Sequence, residues 1–209
     1  MERTLEVYSD LWCPFAYVGL VTALDLLAHG NPAPTMTARA WPLEVVNGRG
    51  MDAEHAAANA HALRAQVAPH LFAGVDHWTF PSTTLPALSA VACATEHDPS
   101  LGMALHMALR RALFEEGRDI GDGAVIAGLE RDLDLDAHDP ALGAALVARD
   151  FADGTARGVL GSPHFFCEER NLFCPTLALS RDAEGALDAA VTIDRLRGFL
   201  RDCAELETA

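Results

Sequence analysis

The chain has no lysine: all fifteen basic residues are arginine. This excludes a lysine Schiff base and the phosphate-cradling lysine of a P-loop. Positive charge is scarce as well, with 30 acidic residues against 15 basic ones and a formal net charge of −15. Nothing concentrates cations to displace counterions, so nucleic acid and anionic membrane surfaces are excluded as partners. No segment approaches the roughly 20 apolar residues of a membrane span. A disulfide framework is also missing, because the five cysteines (Cys13, Cys93, Cys167, Cys174, Cys203) are odd in number and irregularly spaced. The nine histidines form no ligand set of recognisable spacing, His55 and His61 being six residues apart on different helix faces, so no metal is expected. No basic region followed by an apolar run precedes the first strand-like segment after Met1-Glu2-Arg3-Thr4. These features together predict a soluble, cytoplasmic protein with reduced thiols.

Half of the 209 residues are hydrophobic, enough for one sizeable domain, or one domain with a large insertion, that needs no disulfide or structural metal. Leu5-Glu6-Val7-Tyr8 alternates as a strand. A helix opens at Cys13-Pro14 and runs through Leu24, Leu26 and Leu27 to a stop at Gly30-Asn31-Pro32. Thr35 to Leu43 reads as a second strand, which makes a βαβ-type unit with a parallel pair. From Asp52 to about Ala156 the spacing is helical, with five helices and no convincing strand. Pro163 to Cys167 and Leu172 to Cys174 form a hairpin about a turn at Glu168 to Asn171. Asp188 to Cys203 closes the chain as one amphipathic helix with Ala189, Ile193, Leu196, Phe199 and Leu200 on one face.

Cys13 carries the chemistry. Pro14 suits the first helical position because its missing N–H has no helical partner there. A thiol at a helix N-terminus faces unpaired N–H groups and the positive end of the helix dipole, so a depressed pKa is expected. A dithiol motif would place its second cysteine at position 16, which is Ala16. Cys13 thus has no resolving partner within its own turn.

The βα turn at Cys13, the helical stretch after it, and Gly158-Val159-Leu160-Gly161-Ser162-Pro163 before a hairpin together resemble the thioredoxin superfamily. More narrowly they resemble its DsbA-like branch, which includes kappa-class glutathione transferases, 2-hydroxychromene-2-carboxylate isomerases and FrnE-type oxidoreductases. Leu113-Phe114-Glu115-Glu116-Gly117-Arg118-Asp119-Ile120 is similar to a helix-end segment recurring in that branch. The resemblance implies an α/β thioredoxin-like fold with a large all-helical insertion domain: residues 1–51 and 157–209 form the thioredoxin-like domain and 52–156 the insertion. It also implies that Pro163 is a cis proline facing Cys13, leaving the Ser162 backbone open to pair with an extended substrate or a glutathione-like thiol.

The site expected from these residues is Cys13 as nucleophile, with Trp12, Pro14, Phe15, Ser162 and Pro163 binding substrate or thiol. Trp12 and Phe15 either wall an apolar pocket or belong to the core. His164 is either a base or, as strand alternation favours, a packed side chain. Trp41 and Asn47 are candidates to approach the cleft. A hairpin turn centred on Glu169-Arg170 sets Cys167 opposite Leu172 and Cys174 opposite Phe165, diagonal on one face and too far apart for an easy disulfide. Cys93 and Cys203 read as apolar filler.

The expected activity is that of a DsbA-like thiol-dependent oxidoreductase or thiol transferase acting through one cysteine. The alternatives are thiol-dependent isomerisation or transfer on a small conjugated metabolite, and a non-catalytic binding scaffold. No tightly bound cofactor is expected. Glutathione or another low-molecular-weight thiol is the candidate co-substrate, an electrophilic small molecule the candidate substrate, and a homodimer is compatible with the architecture.

Overall fold

The computed structural model describes residues 4–29 and 34–205. Strand β1 (Thr4–Ser9), helix α1 (Pro14–Ala28) and strand β2 (Thr35–Ala40) form the expected unit, with β1 and β2 parallel from Thr4 opposite Thr35 to Ser9 opposite Ala40. The expected helix stop at Gly30-Asn31-Pro32 and the leading Met1-Glu2-Arg3 lie outside the described residues. On the other side of β1 runs β3 (His164–Cys167), antiparallel, with Val7 opposite Phe165. β4 (Arg170–Phe173) completes a sheet of order β2-β1-β3-β4.

Alternation gives this sheet two distinct faces. Leu5, Val7, Phe165 and Cys167 belong to the main core, with Tyr17 and Leu20 of α1 and Leu196, Phe199 and Cys203 of the C-terminal helix. Tyr8 and Phe166 point the other way, onto Trp41 and Phe151.

Between β2 and β3 lie α2 (Leu43–Asn47), α3 (Ala53–Gln66), α4 (Leu85–His97), α5 (Pro99–Phe114), α6 (Gly123–Asp132) and α7 (Pro140–Ala156). Four of these starts are written locally. Asp52, Asp98, Asp122 and Asp139 each accept a backbone N–H from the first turn of the helix they cap. Pro99 and Pro140 follow two of those caps at the position where a missing N–H costs nothing. α4, α5 and α7 pack against β2. Among the described residues no helix is long and apolar enough to cross a membrane.

Three expectations need correction. The second strand stops at Ala40, and Leu43 opens the short helix α2, which ends at Gly48 with φ +65°. Five residues are too few to show a helical period. The hairpin turn is the two-residue Glu168-Glu169, with Glu168 at φ +54°, so Cys167 lies opposite Arg170 and Phe165 opposite Leu172. A register shift of two leaves every side chain on its expected face but changes its neighbours. Finally, Asp188 and Ala189 belong to a strand: β5 (Leu177–Arg181) and β6 (Leu187–Val191) form a separate antiparallel ribbon, and the last helix, α8, is Ile193–Glu205. The reversal between β5 and β6 is set by the Asp182 carboxylate, which accepts N–H bonds from Glu184 and Ala186, and by Gly185 at φ +85°.

Candidate functional site

β1 ends at Ser9, and the chain turns so that the Cys13 N–H reaches the Asp10 carbonyl at 3.3 Å. Cys13 takes the extended N-cap conformation (φ −78°, ψ 110°), and its carbonyl accepts the first helical bond, from Tyr17 N–H. The thiol makes no cap bond. It donates to the Ser162 carbonyl at 3.2 Å, while the Ser162 hydroxyl accepts from the Asp10 N–H at 3.0 Å. Two hydrogen bonds thus join the Cys13 turn to the Ser162–Pro163 dipeptide, whose peptide bond is cis. The Ser162 carbonyl is therefore occupied by the thiol in this state, not open as expected. Behind it, Pro163 packs on α1, where a Cβ added to Gly19 would lie 3.2 Å from the proline Cγ.

Beneath the turn lies a polar set that sequence reasoning missed. Arg110 of α5 is fully buried and donates to the carbonyls of Asp10 (2.7 Å), Cys13 (3.1 Å) and Leu11 (3.2 Å) and to Ser9 Oγ (3.2 Å). The Asp10 carboxylate accepts from Leu43 N–H (2.6 Å), the Thr84 hydroxyl (2.8 Å) and Trp12 N–H (3.4 Å), tying the turn to α2 and to the start of α4. His106 Nε2 meets Ser9 Oγ at 3.2 Å. One signal for Arg110 was available: it falls on the same helical face as Met103, Met107 and Phe114, where a cation is out of place. Asp10 and Thr84 carried no comparable signal.

Burial decides the charge states here. The Cys13 thiol, 4% exposed, has its pKa pushed up by burial, with the Asp10 charge adding to the rise. The Ala16 amide, Ser162 and Arg110 pull the other way and do not prevail. The expected depressed pKa is thus corrected: the helix N-terminus contributes in the expected direction, but removal from water outweighs it. Burial also raises the Asp10 carboxyl to about 6, against the donors from Leu43, Thr84 and Trp12 and the charge of Arg110. It lowers Arg110 to about 10, which Cys13 and Asp10 partly offset.

A cleft of about 350 Å³ opens beside the thiol, lined by Trp12, Cys13, Pro14, Phe15 and Ser162, by Asn47 and Arg49 at the end of α2, and by Arg181 of β5. Pro163 is not part of the lining. Trp12 is fully buried and touches the cleft as part of the core, whereas Phe15 is half-buried at the opening. Trp41 lies on the other face of the sheet, against Tyr8 and Phe151. His164 is packed: its Nδ1 accepts from Leu160 N–H at 3.1 Å, its Nε2 meets Asn171 Oδ1 at 3.0 Å, and burial lowers its pKa.

No family model matches the chain, and no curated protein does either. Solved structures do. A protein of Nitrosomonas europaea assigned as a protein disulfide isomerase superposes with a TM-score of 0.68 at 15% identity, covering 100% of both chains. A protein of Streptomyces coelicolor assigned as a DsbA oxidoreductase gives 0.62 at 22% identity, over 81% of this chain and 82% of that one. The cytosolic disulfide reductase DsbM of Pseudomonas aeruginosa, with GSH, gives 0.58 at 20% identity over 98% of each. The chain therefore has the DsbA-like thioredoxin fold, with helices α2 to α7 inserted between β2 and β3.

Proposed function

We propose that this protein is a thiol-dependent oxidoreductase in which Cys13 exchanges with a small, anionic thiol or disulfide. One observation carries this. In a chain with twice as many acids as bases, the cleft beside Cys13 is lined by two exposed arginines, Arg49 and Arg181, against one carboxylate, Asp52, which is engaged in capping α3. Neither arginine has an acidic partner among the described residues. Arg181 is held by the Gly185 carbonyl and Asn59 Oδ1 at 2.9 and 3.1 Å, which orients the guanidinium without neutralising it. Glutathione, with two carboxylates, answers this arrangement, and the likeness to DsbM with GSH supports it as the first probe.

The resting thiol is protonated and bound to the Ser162 carbonyl. A ligand that pairs with the Ser162 backbone takes that carbonyl from the thiol. Cys13 then loses its proton to solvent, and the Ala16 amide and Arg110 stabilise the thiolate. The thiolate attacks one sulfur of the bound disulfide, forms a mixed disulfide, and expels the other sulfur as a thiolate.

The apolar side of the cleft, formed by Trp12, Phe15, Leu43 and Met51, favours a second reading. In it the same thiol chemistry isomerises a conjugated small molecule.

The test is incubation with oxidised glutathione, reading both released glutathione and protection of Cys13 from alkylation. Release that disappears in Cys13→Ser supports the proposal. Equal release from Cys13→Ser removes the nucleophilic thiol, and no release from either protein leaves a binding scaffold.

A further inference from the structure

We propose that Cys174 is the resolving thiol of this site, filling from the sheet the part that Ala16 leaves empty in the helix turn. This rests on Cys13 being the nucleophile.

The strand register places Cys174. β3 and β4 pair with Phe165 opposite Leu172 and His164 opposite Phe173. One step further sets Cys174 opposite Pro163, and the Cys174 N–H donates to the Pro163 carbonyl at 3.0 Å. The preceding carbonyl, that of Ser162, accepts the Cys13 thiol at 3.2 Å. The two cysteines therefore hang on consecutive carbonyls of one dipeptide.

They also share a face. His164 and Phe173 meet ring to ring at 5.7 Å on the Tyr8 side of the sheet, while Phe165 and Leu172 join the core on the α1 side. Alternation returns Pro163 and Cys174 to the α1 side, and the contact of Pro163 with Gly19 agrees. Cys13 is the first residue of that helix's cap.

Cys174 is a free, half-buried thiol at φ +40°, a conformation that residues with a Cβ seldom adopt. Of the other cysteines, Cys167 of β3 and Cys203 of α8 are free thiols hydrogen-bonded to each other, and Cys93 of α4 donates to the Asp139 carbonyl at the start of α7.

The electrostatics give an order of events. Burial first, and then a charge on Cys13, push Cys174 up to about 11, with Arg195 opposing. Two thiolates side by side are thus disfavoured, and Cys174 stays protonated while Cys13 is the anion. Once Cys13 is a mixed disulfide it carries no charge, and that repulsion ends. Cys174 then gives its proton to solvent, and its thiolate attacks the Cys13 sulfur. The Cys13–glutathione bond breaks, a Cys13–Cys174 disulfide forms, and glutathione leaves as a thiolate that takes up a proton. Over both steps oxidised glutathione gains two electrons and becomes two glutathione thiols, and two protein thiols are oxidised to one disulfide. A reducing thiol in excess restores the starting state.

The experiment treats reduced wild type, Cys174→Ser, Cys174→Ala and Cys13→Ser with oxidised glutathione. Each is quenched by alkylation and examined by intact mass and non-reduced peptide mapping, with circular dichroism confirming the fold of each variant. The wild type should release two glutathiones per chain, retain none, and give a linked Cys13–Cys174 peptide. Both Cys174 variants should release one and keep the other on Cys13. A glutathione adduct on the wild type as durable as that on Cys174→Ala overturns the proposal, as does a protein disulfide confined to Cys167 and Cys203. In the first of those cases Cys13 still reacts, so its role as nucleophile stands; in the second, the alkylation state of Cys13 decides that role separately. If Cys13 reacts in none of the proteins, both inferences fall together.

Discussion

Arg110 donates to the Cys13 carbonyl oxygen at 3.1 Å across 97 positions of sequence. The same guanidinium holds the carbonyls of Leu11 and Asp10 and the hydroxyl of Ser9. Every one of these acceptors lies in or beside the turn that presents the thiol, in a region closed to water. Without the arginine they would be buried acceptors with one partner fewer. Replacing it by an apolar residue of similar length should cost about 3–5 kcal/mol, as removal of one member of a buried ionic network does. Urea unfolding of Arg110→Met measures this. Arg110→Lys should recover only part, because an ammonium cannot reproduce the planar fork that reaches four acceptors. A loss below about 1 kcal/mol would mean that the turn holds itself.

The raised pKa of Cys13 has a kinetic and a thermodynamic sign. Its alkylation rate in the ligand-free protein should keep rising with pH above ~8.5, the value for an ordinary thiol. Thiolate in the unfolded chain forms first, so above that pH the folded state binds the extra proton and stability declines as pH rises toward the folded pKa. Iodoacetamide kinetics against pH, with Cys13→Ser as reference, reads the first effect, and urea midpoints above pH 8 read the second. A profile centred below that of an ordinary thiol would contradict both.

Asp10 predicts a second pH dependence at the acid end. Its folded pKa of about 6 stands above the unfolded carboxylate value of ~3.9. Between the two the folded protein binds more protons, so Asp10 contributes a fall in stability as pH rises through that interval and no slope above it. Asp10→Asn should remove that slope. It should also cost about 1–3 kcal/mol at neutral pH, because an amide cannot accept from Leu43 on one side and from Thr84 and Trp12 on the other. Urea midpoints from pH 4.5 to 7.5 for both proteins test this.

Two glycine substitutions should have opposite signs. A Cβ at Gly143 of α7 would lie 2.6 Å from Ser89 Cβ and 2.9 Å from the Ser89 carbonyl oxygen of α4, so Gly143→Ala must separate two packed helices. The overpacking cost of about 1–3 kcal/mol should outweigh the helical gain of about 1 kcal/mol. At Gly128 of α6 the nearest atoms are arginine side-chain ends at 3.9 and 4.0 Å, so Gly128→Ala should stabilise by about 0.5–1 kcal/mol. Thermal unfolding of the pair decides.

The arginines of the cleft should select for charge. Arg49→Gln and Arg181→Gln should each slow reaction with oxidised glutathione about fivefold, the equivalent of about 1 kcal/mol for an exposed ion pair. Reaction with a neutral hydroxyethyl disulfide should be unchanged, and added salt should reduce the difference. Equal losses for both substrates would place these arginines in a structural role.

The amino-acid order by itself determined what short-range interactions govern. Alternation in Leu5 to Tyr8, the Cys13-Pro14 helix start, and the Asp-Pro openings at Asp98 and Asp139 act through caps and propensities a few residues long. With them came the resemblance to the thioredoxin superfamily that implied the fold, carried by the Cys13-Pro14 turn, the helices after it and Ser162-Pro163 before a hairpin. Weak local signals were lost: α2 is too short for a period, and Ala189 and Ile193 mimic one helical face although a strand ends between them. Tertiary structure decided what depends on burial and distance. It turned the expected depression of the Cys13 pKa into a rise, because desolvation acts from every surrounding element whereas the helix end acts from one. It placed Arg110 under the turn, 97 positions from Cys13, a contact that no local pattern encodes, and it set the hairpin register that brings Cys174 beside Pro163.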